Sequence, residues 1–375
     1  MIPYGRQSIS QADIDAVVEV LKSDFLTQGP VVPRFEQAVA DYCGAKFGVA
    51  VNSGTAALHI ACLALGVGPG DWVWTSPISF VASANCALYC GAQVDFVDIE
   101  PDTGNMCAVE LERKLIAAKA EGKLPKVVIP VHFAGLPCDM QEIHRLGQEY
   151  GFRIIEDACH ALGARYHDEP TGNGRYSDIT VFSFHPVKII TTGEGGMSMT
   201  NDPALAKTMR MLRSHGITRE PEDFINEPDG PWYYEQQILG FNYRMTDIQA
   251  ALGLSQMANL ETWILKRGEL ARHYFEALAP ELIPRYFSSE HRSAFHLYVQ
   301  HVAPEQRQAR FQQLREQGIS ANVHYIPIYK QPWYQYGEPF PLAQAEKFYA
   351  RALTLPLFPR LSTQAQLIIM KALTV

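Results

Sequence analysis

Apolar positions along the chain follow two periods, and the switches between them outline the elements. Ile14, Val17, Val18 and Leu21 recur at helical spacing behind Ser10 and Asp13, a capping-box pair, and predict a first helix. A second amphipathic run carries Phe35, Val39 and Tyr42, with Gly44 placed to end it. Short continuous apolar runs then predict strands at Gly48–Val51, Trp72–Trp74, Val94–Val97, Val127–Val131, Arg153–Ile155 and Ile179–Phe182. Helical periodicities fill gaps between them at Ala56–Leu65, Val109–Ala120 and Met140–Tyr150. Continuous apolar strands alternating with helices imply an α/β fold with a mostly parallel sheet covered on both faces.

From Thr246 the texture changes. One long helical stretch is expected from Asp247 to Leu278, then a strand at Phe295–Val299, a helix at Gln306–Gln317, a strand at Ala321–Tyr325 and two more helices. The expected division is a large domain over residues 1–250 and a smaller C-terminal α+β domain over 251–375, entered through the long helix.

Composition narrows the function classes. Of 375 residues 19% are charged, below the roughly 25% of an average soluble protein, which suits a large buried surface including a subunit interface. Lys and Arg number 32 against 40 Asp and Glu, and the net charge of −8 argues against a nucleic-acid coat or a polybasic membrane binder. Seven cysteines, Cys43 to Cys159, are odd in number and contain no CxxC pair. Reduced buried thiols are therefore expected, with no disulfide framework and no metal site. The N-terminus reads as no signal peptide, and no apolar run is long enough to span a bilayer, so a cytoplasmic protein is expected.

Four segments after strand ends carry candidate chemistry, because ligands of open parallel sheets bind beyond the carboxyl ends of the strands. Asn52-Ser53-Gly54-Thr55-Ala56-Ala57 opens a helix with small residues and reads either as an anion cradle at the helix tip or as an ordinary N-cap turn. In Ile155-Glu156-Asp157-Ala158-Cys159-His160, a carboxylate at a buried strand end needs a cation. Asp157 suits a protonated pyridine nitrogen, or caps the next segment, and Glu156 should alternate to the other face. Lys188 follows an apolar strand in Ser183-Phe184-His185-Pro186-Val187-Lys188, 31 residues beyond Asp157. Surroundings almost without other positive charge favour a deprotonated, Schiff-base-forming amine, with Ser183 near it for an anion. In Gly240-Phe241-Asn242-Tyr243-Arg244-Met245-Thr246-Asp247, Thr246 reads as an N-cap, while Asn242 and Arg244 suit a ligand or a neighbouring subunit.

Taken in order, SGTAALH, EDACHALGA, SFHPVKIITTGEGGM and GFNYRMTDIQAALG resemble the DegT/DnrJ/EryC1/StrS family of sugar-nucleotide aminotransferases, across essentially the whole chain. The resemblance implies an aspartate-aminotransferase-like fold of type I and a pyridoxal 5'-phosphate cofactor held covalently on Lys188, passing through pyridoxamine phosphate. It further implies Asp157 on the pyridine nitrogen, and Gly54, Thr55 and Ser183 on the cofactor phosphate. Asn242 would reach that phosphate across a homodimer. Phe80 would stack on the ring, unless it is a core aromatic. His160 would lie beside the ring where the wider family has glutamine, unless it is a satisfied buried histidine.

A narrower likeness, carried by Pro3-Tyr4-Gly5-Arg6-Gln7, Phe25-Leu26-Thr27-Gln28-Gly29-Pro30 and Val323-His324-Tyr325-Ile326-Pro327, points to the pseudaminic-acid branch. It implies amination of C4 of a UDP-linked 4-keto-6-deoxy-N-acetylhexosamine with L-glutamate as donor. Tyr4, Asp24, Phe25, Leu26, Thr27, Val323, His324, Tyr325 and Ile326 would line the sugar-nucleotide pocket, together with Gly54, Ser183 and Asn242. Another nucleotide-linked ketosugar, aminated at C3 or C4, and a regulatory protein on the same fold are the alternatives. A dinucleotide-dependent dehydrogenase lacks its GxGxxG loop here. Arg210, Arg213, His215 and Arg219 suit either a substrate diphosphate or a solvated helix face, and Arg219–Tyr234 reads as a mobile loop near the entrance.

Overall fold

Local signals begin the fold as the residues dictate. In a computed structural model, which describes residues 1–278, 290–334 and 342–374, Ser10 and Asp13 form both bonds of a capping box on helix α1, Gln11–Leu21. Helix α2, Val31–Cys43, ends on Gly44 in the left-handed region at φ 77°. Seven strands then form one sheet: β1 (Phe47–Val51), β2 (Trp72–Thr75), β3 (Gln93–Phe96), β4 (Val127–Ile129), β5 (Arg153–Asp157), β6 (Ile179–Ser183) and β7 (Gly196–Thr200). Their order is β1-β7-β6-β5-β4-β2-β3. Five neighbours, β6 to β3, run parallel, while β7 lies antiparallel between β6 and β1. Helices α3 (Gly54–Ala64), α4 (Ala82–Tyr89), α5 (Ala108–Glu121), α6 (Met140–Tyr150) and α7 (Pro203–Arg213) connect and cover it.

Because both faces are covered, the central strands are dominated by buried apolar residues, whereas the edge strand β3, Gln93-Val94-Asp95-Phe96, keeps two polar positions. Val73, Val127, Ile155 and Val181 pack against α3, α4 and α7 on one face. Val128 and Ile154 pack against α5 and α6 on the other, where Ala50, Phe182 and Met197 meet α2. Each fully buried Val or Ile of this kind contributes about 1.5–3 kcal/mol.

The expected single helix over Asp247–Leu278 is instead two, α8 (Asp247–Met257) and α9 (Leu260–Ala277). Asn259, a residue type that favours helix starts, stands at the N-cap of α9. Buried Gln256 pins the end of α8, donating to Ser8 O and accepting from Thr191 N. The front of α9 (Leu260, Ile264) packs with the sheet layer. Its rear (Leu270, Ala271, Tyr274) enters a second core with Tyr298, Leu314, Phe348 and Leu353. That core is built from α10 (Arg307–Glu316), α11 (Ala343–Arg351), α12 (Thr363–Thr374) and the antiparallel pair β8 (Tyr298–His301) and β9 (Ala352–Leu355).

Two strand expectations in this region are corrected. The strand expected from Phe295 starts only at Tyr298, because Phe295 is left-handed (φ 46°) and the buried Arg267 guanidinium takes the carbonyls of Phe295 and His296. Ala321–Tyr325 forms a single bridge, Asn322 to Thr354, rather than a strand. Residues 1–4, expected with the large domain, join the C-terminal core instead: Ile2 bridges Ile319, and Tyr4 O accepts from Leu357 N.

Candidate active site

The carboxyl ends of β1, β5 and β6 reach the same edge of the sheet, and a cavity of about 860 Å³ opens there. Its floor is the tip of α3. Ser53 accepts from Ala56 N through Oγ (3.1 Å) and from Ala57 N through its carbonyl (3.1 Å), which leaves the Gly54 and Thr55 donors at the helix end. A Cβ on Gly54 would stand 3.0 Å from Ser183 Cβ, and one on Gly196 would collide with the Ser53 carbonyl. These two glycines let strand, turn and helix tip close into a cradle.

Asp157 ends β5 and is buried. Its Oδ2 accepts from Ser83 Oγ at 2.6 Å, and its Oδ1 accepts from Cys159 N at 3.2 Å. Ser83 in turn lies 2.7 Å from Ser79 Oγ. Glu156 points to the opposite face, as the strand period requires, where His132 Nε2 (2.7 Å), Ser177 and Thr180 bind it. Lys188, half-buried, faces the same cavity as Asp157. Burial lowers its amine below the usual lysine range, against the opposing pull of Cys159 and Asp157.

A wall of imidazoles completes the site. His160 is buried with Nε2 3.2 Å from the Tyr325 hydroxyl, and its ring centroid is 4.4 Å from that of His296. Burial, then the charge of Lys188, drives His160 far below the ordinary histidine range. The same two causes push His324 down to about 3, while its Nδ1 lies 2.8 Å from Thr354 Oγ1 and its ring centroid 5.3 Å from that of Tyr4. Phe80 lines the mouth and is 60% exposed, so it is not a core aromatic.

Gly54, Thr55, Phe80, Asp157, His160, Ser183, Lys188, Tyr4, His324 and Tyr325 therefore meet in one cavity. Others do not. Asp24, Phe25, Leu26 and Thr27 are exposed and flank the start of α8, with Leu26 O accepting from Asp247 N and Thr27 bridging Thr246, one turn before Gln249 in the cavity wall. Val323 and Ile326 also lie outside the wall, with Ile326 46% exposed, because the chain turns away on either side of His324 and Tyr325. Asn242 is exposed at the rim, where its carbonyl accepts from Asn52 Nδ2.

The arginine cluster is committed elsewhere. Arg213 pairs with Glu36 and donates to Ala50 O, Arg210 stacks on Phe47, and Arg219 stacks on Tyr234. The 219–234 loop is knit together by Glu235, which accepts from Ile225 N and Asn226 N; the Ile225 bond foremost pushes its carboxyl down to about 2. Among the described residues, Lys188 is the one lysine or arginine lining the cavity. Sequence reasoning missed Ser79, Ser83 and His296; the Ser79–Ser83 spacing of four around Phe80 was the available signal.

Comparison with known proteins decides the family. The model of the DegT/DnrJ/EryC1/StrS aminotransferase family matches residues 7–374. The chain belongs to this family. A Campylobacter jejuni member, UDP-4-amino-4,6-dideoxy-N-acetyl-beta-L-altrosamine transaminase, is 38% identical over 366 residues, 95% of this chain and 92% of that one. Helicobacter pylori PseC, an aminotransferase involved in the biosynthesis of pseudoaminic acid, superposes with a TM-score of 0.91 at 32% identity, over 100% of this chain and 98% of the other. The PMP form of the Streptococcus pneumoniae sugar aminotransferase Spr1654 gives 0.90 at 30% identity, over 99% and 98%.

This DegT-family chain is a pyridoxal-phosphate-dependent aminotransferase. Its residues fit that cofactor: an anion cradle at the α3 tip, a buried carboxylate to which no lysine or arginine among the described residues is bonded, and a lysine with a depressed pKa share one cavity.

Proposed function

We propose that this aminotransferase moves the amino group of L-glutamate to C4 of a UDP-linked 4-keto-6-deoxy-N-acetylhexosamine, for synthesis of a pseudaminic-acid-type sugar. The convergence of Lys188, Asp157 and the α3 cradle carries the reaction type. The likeness to the Campylobacter transaminase and to PseC supports the substrate.

When bound, pyridoxal phosphate supplies the electron sink that stabilises negative charge at the reacting carbon. Lys188 would hold the cofactor covalently, and its free amine would take the proton from one carbon and return it to another as base and acid. Its depressed pKa favours the neutral amine that the base role needs. Asp157, oriented by Ser83, would keep a proton on the ring nitrogen. Gly54, Thr55 and Ser183 would bind the phosphate, Phe80 would cover the ring, and buried His160 would pack beside it as an uncharged imidazole. Tyr4, His324 and Tyr325 face the sugar, and Tyr325 steadies His160. The proton shuttle thus runs in a pocket walled by neutral imidazoles.

The working unit in this reading is a homodimer. A cavity that must hold a cofactor phosphate and a diphosphate has Lys188 as its one lysine or arginine among the described residues, and Asn242 stands exposed at its rim. Exposed Ile225, Trp232 and Leu239 supply apolar surface for such an interface. All seven cysteines are free, which suits a reducing cytoplasm. Among the described residues no helix is long and apolar enough to cross a membrane.

The test is a panel of UDP- and dTDP-linked 3-keto and 4-keto sugars with L-glutamate, followed by product stereochemistry. Turnover confined to the UDP-linked 4-ketosugar, with an amine at C4, is the expected result. Preference for a dTDP sugar or for C3 would overturn the substrate while leaving the reaction type standing.

A further inference from the structure

A second cluster of ligating side chains lies away from the cavity, where a hairpin meets the chain entering the C-terminal core. Strands Arg165–Tyr166 and Glu169–Pro170 pair antiparallel through a two-residue turn, His167-Asp168. Both turn residues are left-handed, with φ of 45° and 61°, the backbone of a type I′ turn that Gly, Asn and Asp usually supply. Histidine in that position is uncommon and costly, and such outliers concentrate at ligand clamps. The conformation brings the His167 ring beside His291, centroids 4.7 Å apart at 74°.

His291 is itself held in place. It pairs with Tyr166 across a short antiparallel ladder and stacks on the Tyr166 ring at 4.4 Å and 15°. The donor atoms of His167, Glu290 and His291 all lie within 4.8 Å of one another. Ligands of a tetrahedral ion with metal–nitrogen bonds near 2.05 Å stand roughly 3.4 Å apart, so small side-chain rotations close the set. The weak bond from His167 N to His291 Nδ1, at 3.4 Å, is the contact given up most cheaply.

We propose that His167, Glu290 and His291 form a binding site for one zinc-class divalent cation per chain. Two imidazoles and one carboxylate select zinc, nickel or copper over magnesium or calcium, which want all-oxygen shells. The fourth position is left to water, because the cluster opens at the surface. The ion ties the 165–170 hairpin to the segment that continues through Arg292, bound to Gly163 O and Glu261, into His296 of the cavity wall. It is a staple between segments far apart in sequence, outside the catalytic cavity.

The experiment uses the full chain, cofactor-loaded, freed of any affinity tag and stripped with a chelator. Calorimetric titration with zinc chloride should give one ion per chain, and zinc should raise the thermal midpoint. Cobalt in place of zinc should show the visible bands of a four-coordinate site. His167→Ala and His291→Ala should each weaken binding at least about tenfold and abolish the thermal response, with transamination in the absence of zinc unchanged. Absence of saturable binding up to about 100 μM zinc would overturn the site. Undiminished binding by both folded variants would overturn it equally, placing the ion elsewhere.

Discussion

Replacing Asp157 by Asn separates the chemical role of this side chain from its structural one. The amide is nearly isosteric: its oxygen can keep the bond from Cys159 N while its NH2 donates to Ser83 Oγ, whose own proton turns to Ser79 Oγ, so the empty fold should hardly change. What disappears, in the proposed role, is a negative charge that would face a cationic ring nitrogen in a buried site. Two unit charges about 4 Å apart interact by about 4 kcal/mol at an effective dielectric of 20, and a charge-assisted hydrogen bond is worth about 1.5–3 kcal/mol. A loss of roughly 2–4 kcal/mol corresponds to a fall in kcat/KM of about 30- to 1,000-fold. The assay is steady-state amination of the ketosugar, alongside titration of the empty protein with cofactor and its thermal midpoint. A variant within about threefold of the parent, with cofactor bound, would refute the pairing of Asp157 with the ring. So would a fall in activity matched by collapse of the empty fold.

Lys188→Ala should abolish turnover and the visible absorbance of the bound cofactor, measured on the gel-filtered enzyme; a tenth of the parent rate would remove Lys188 from its role. Gly54→Ala should split two observables: the helix start is no less stable, while a methyl group 3.0–3.4 Å from Ser183 and Cys159 weakens cofactor binding by about tenfold in a spectroscopic titration. Arg213→Met should cost about 3 kcal/mol in denaturant unfolding by taking the cationic partner from buried Glu36, which keeps the bond from Ala50 N, yet leave the ketosugar KM unchanged. Burial, then Arg351, lowers His301 to about 4, so at pH 7 it is neutral whether folded or unfolded. As pH falls below about 6.5 the unfolded chain takes a proton that the folded one refuses, and up to about 3 kcal/mol is lost by pH 4. Urea midpoints at pH 7 and 4.5 should therefore lie closer together in His301→Phe than in the parent; an equal gap would contradict this.

How much of this was legible depended on how local the signal was. Ser10 and Asp13, the Thr246 N-cap and the Gly44 stop are short-range devices, and each operates where the residues announce it. Continuous apolar strands gave the covered sheet, and the strand period sent Glu156 away from Asp157. What failed was tertiary. No periodicity marks the break at Asn259, because both halves of the stretch are helical. The 295–297 segment is apolar like a strand, yet buried Arg267 claims its carbonyls. Arg213 reads as a ligand arginine until Glu36, 177 positions earlier, is seen against it. The exposed Asp24–Thr27 turn carries a family resemblance without reaching the cavity of its own chain.

The place of β1 in the sheet has a consequence for the order of assembly. β1 is an edge strand whose ladder partner is β7, with Phe47 opposite Thr200 and Val51 opposite Gly196. Some 150 residues separate them, roughly 7–30 s of synthesis at about 5–20 residues per second. Through that interval the nascent chain carries an apolar strand with no ladder to join, an invitation to non-native pairing that a chaperone or rapid collapse onto α2 must cover. Gly54, directly after β1, cannot form the cradle until Ser183 and Gly196 have also emerged. Cofactor capture therefore waits on the return of β7 to β1, and is a measure of whether these two strands have met.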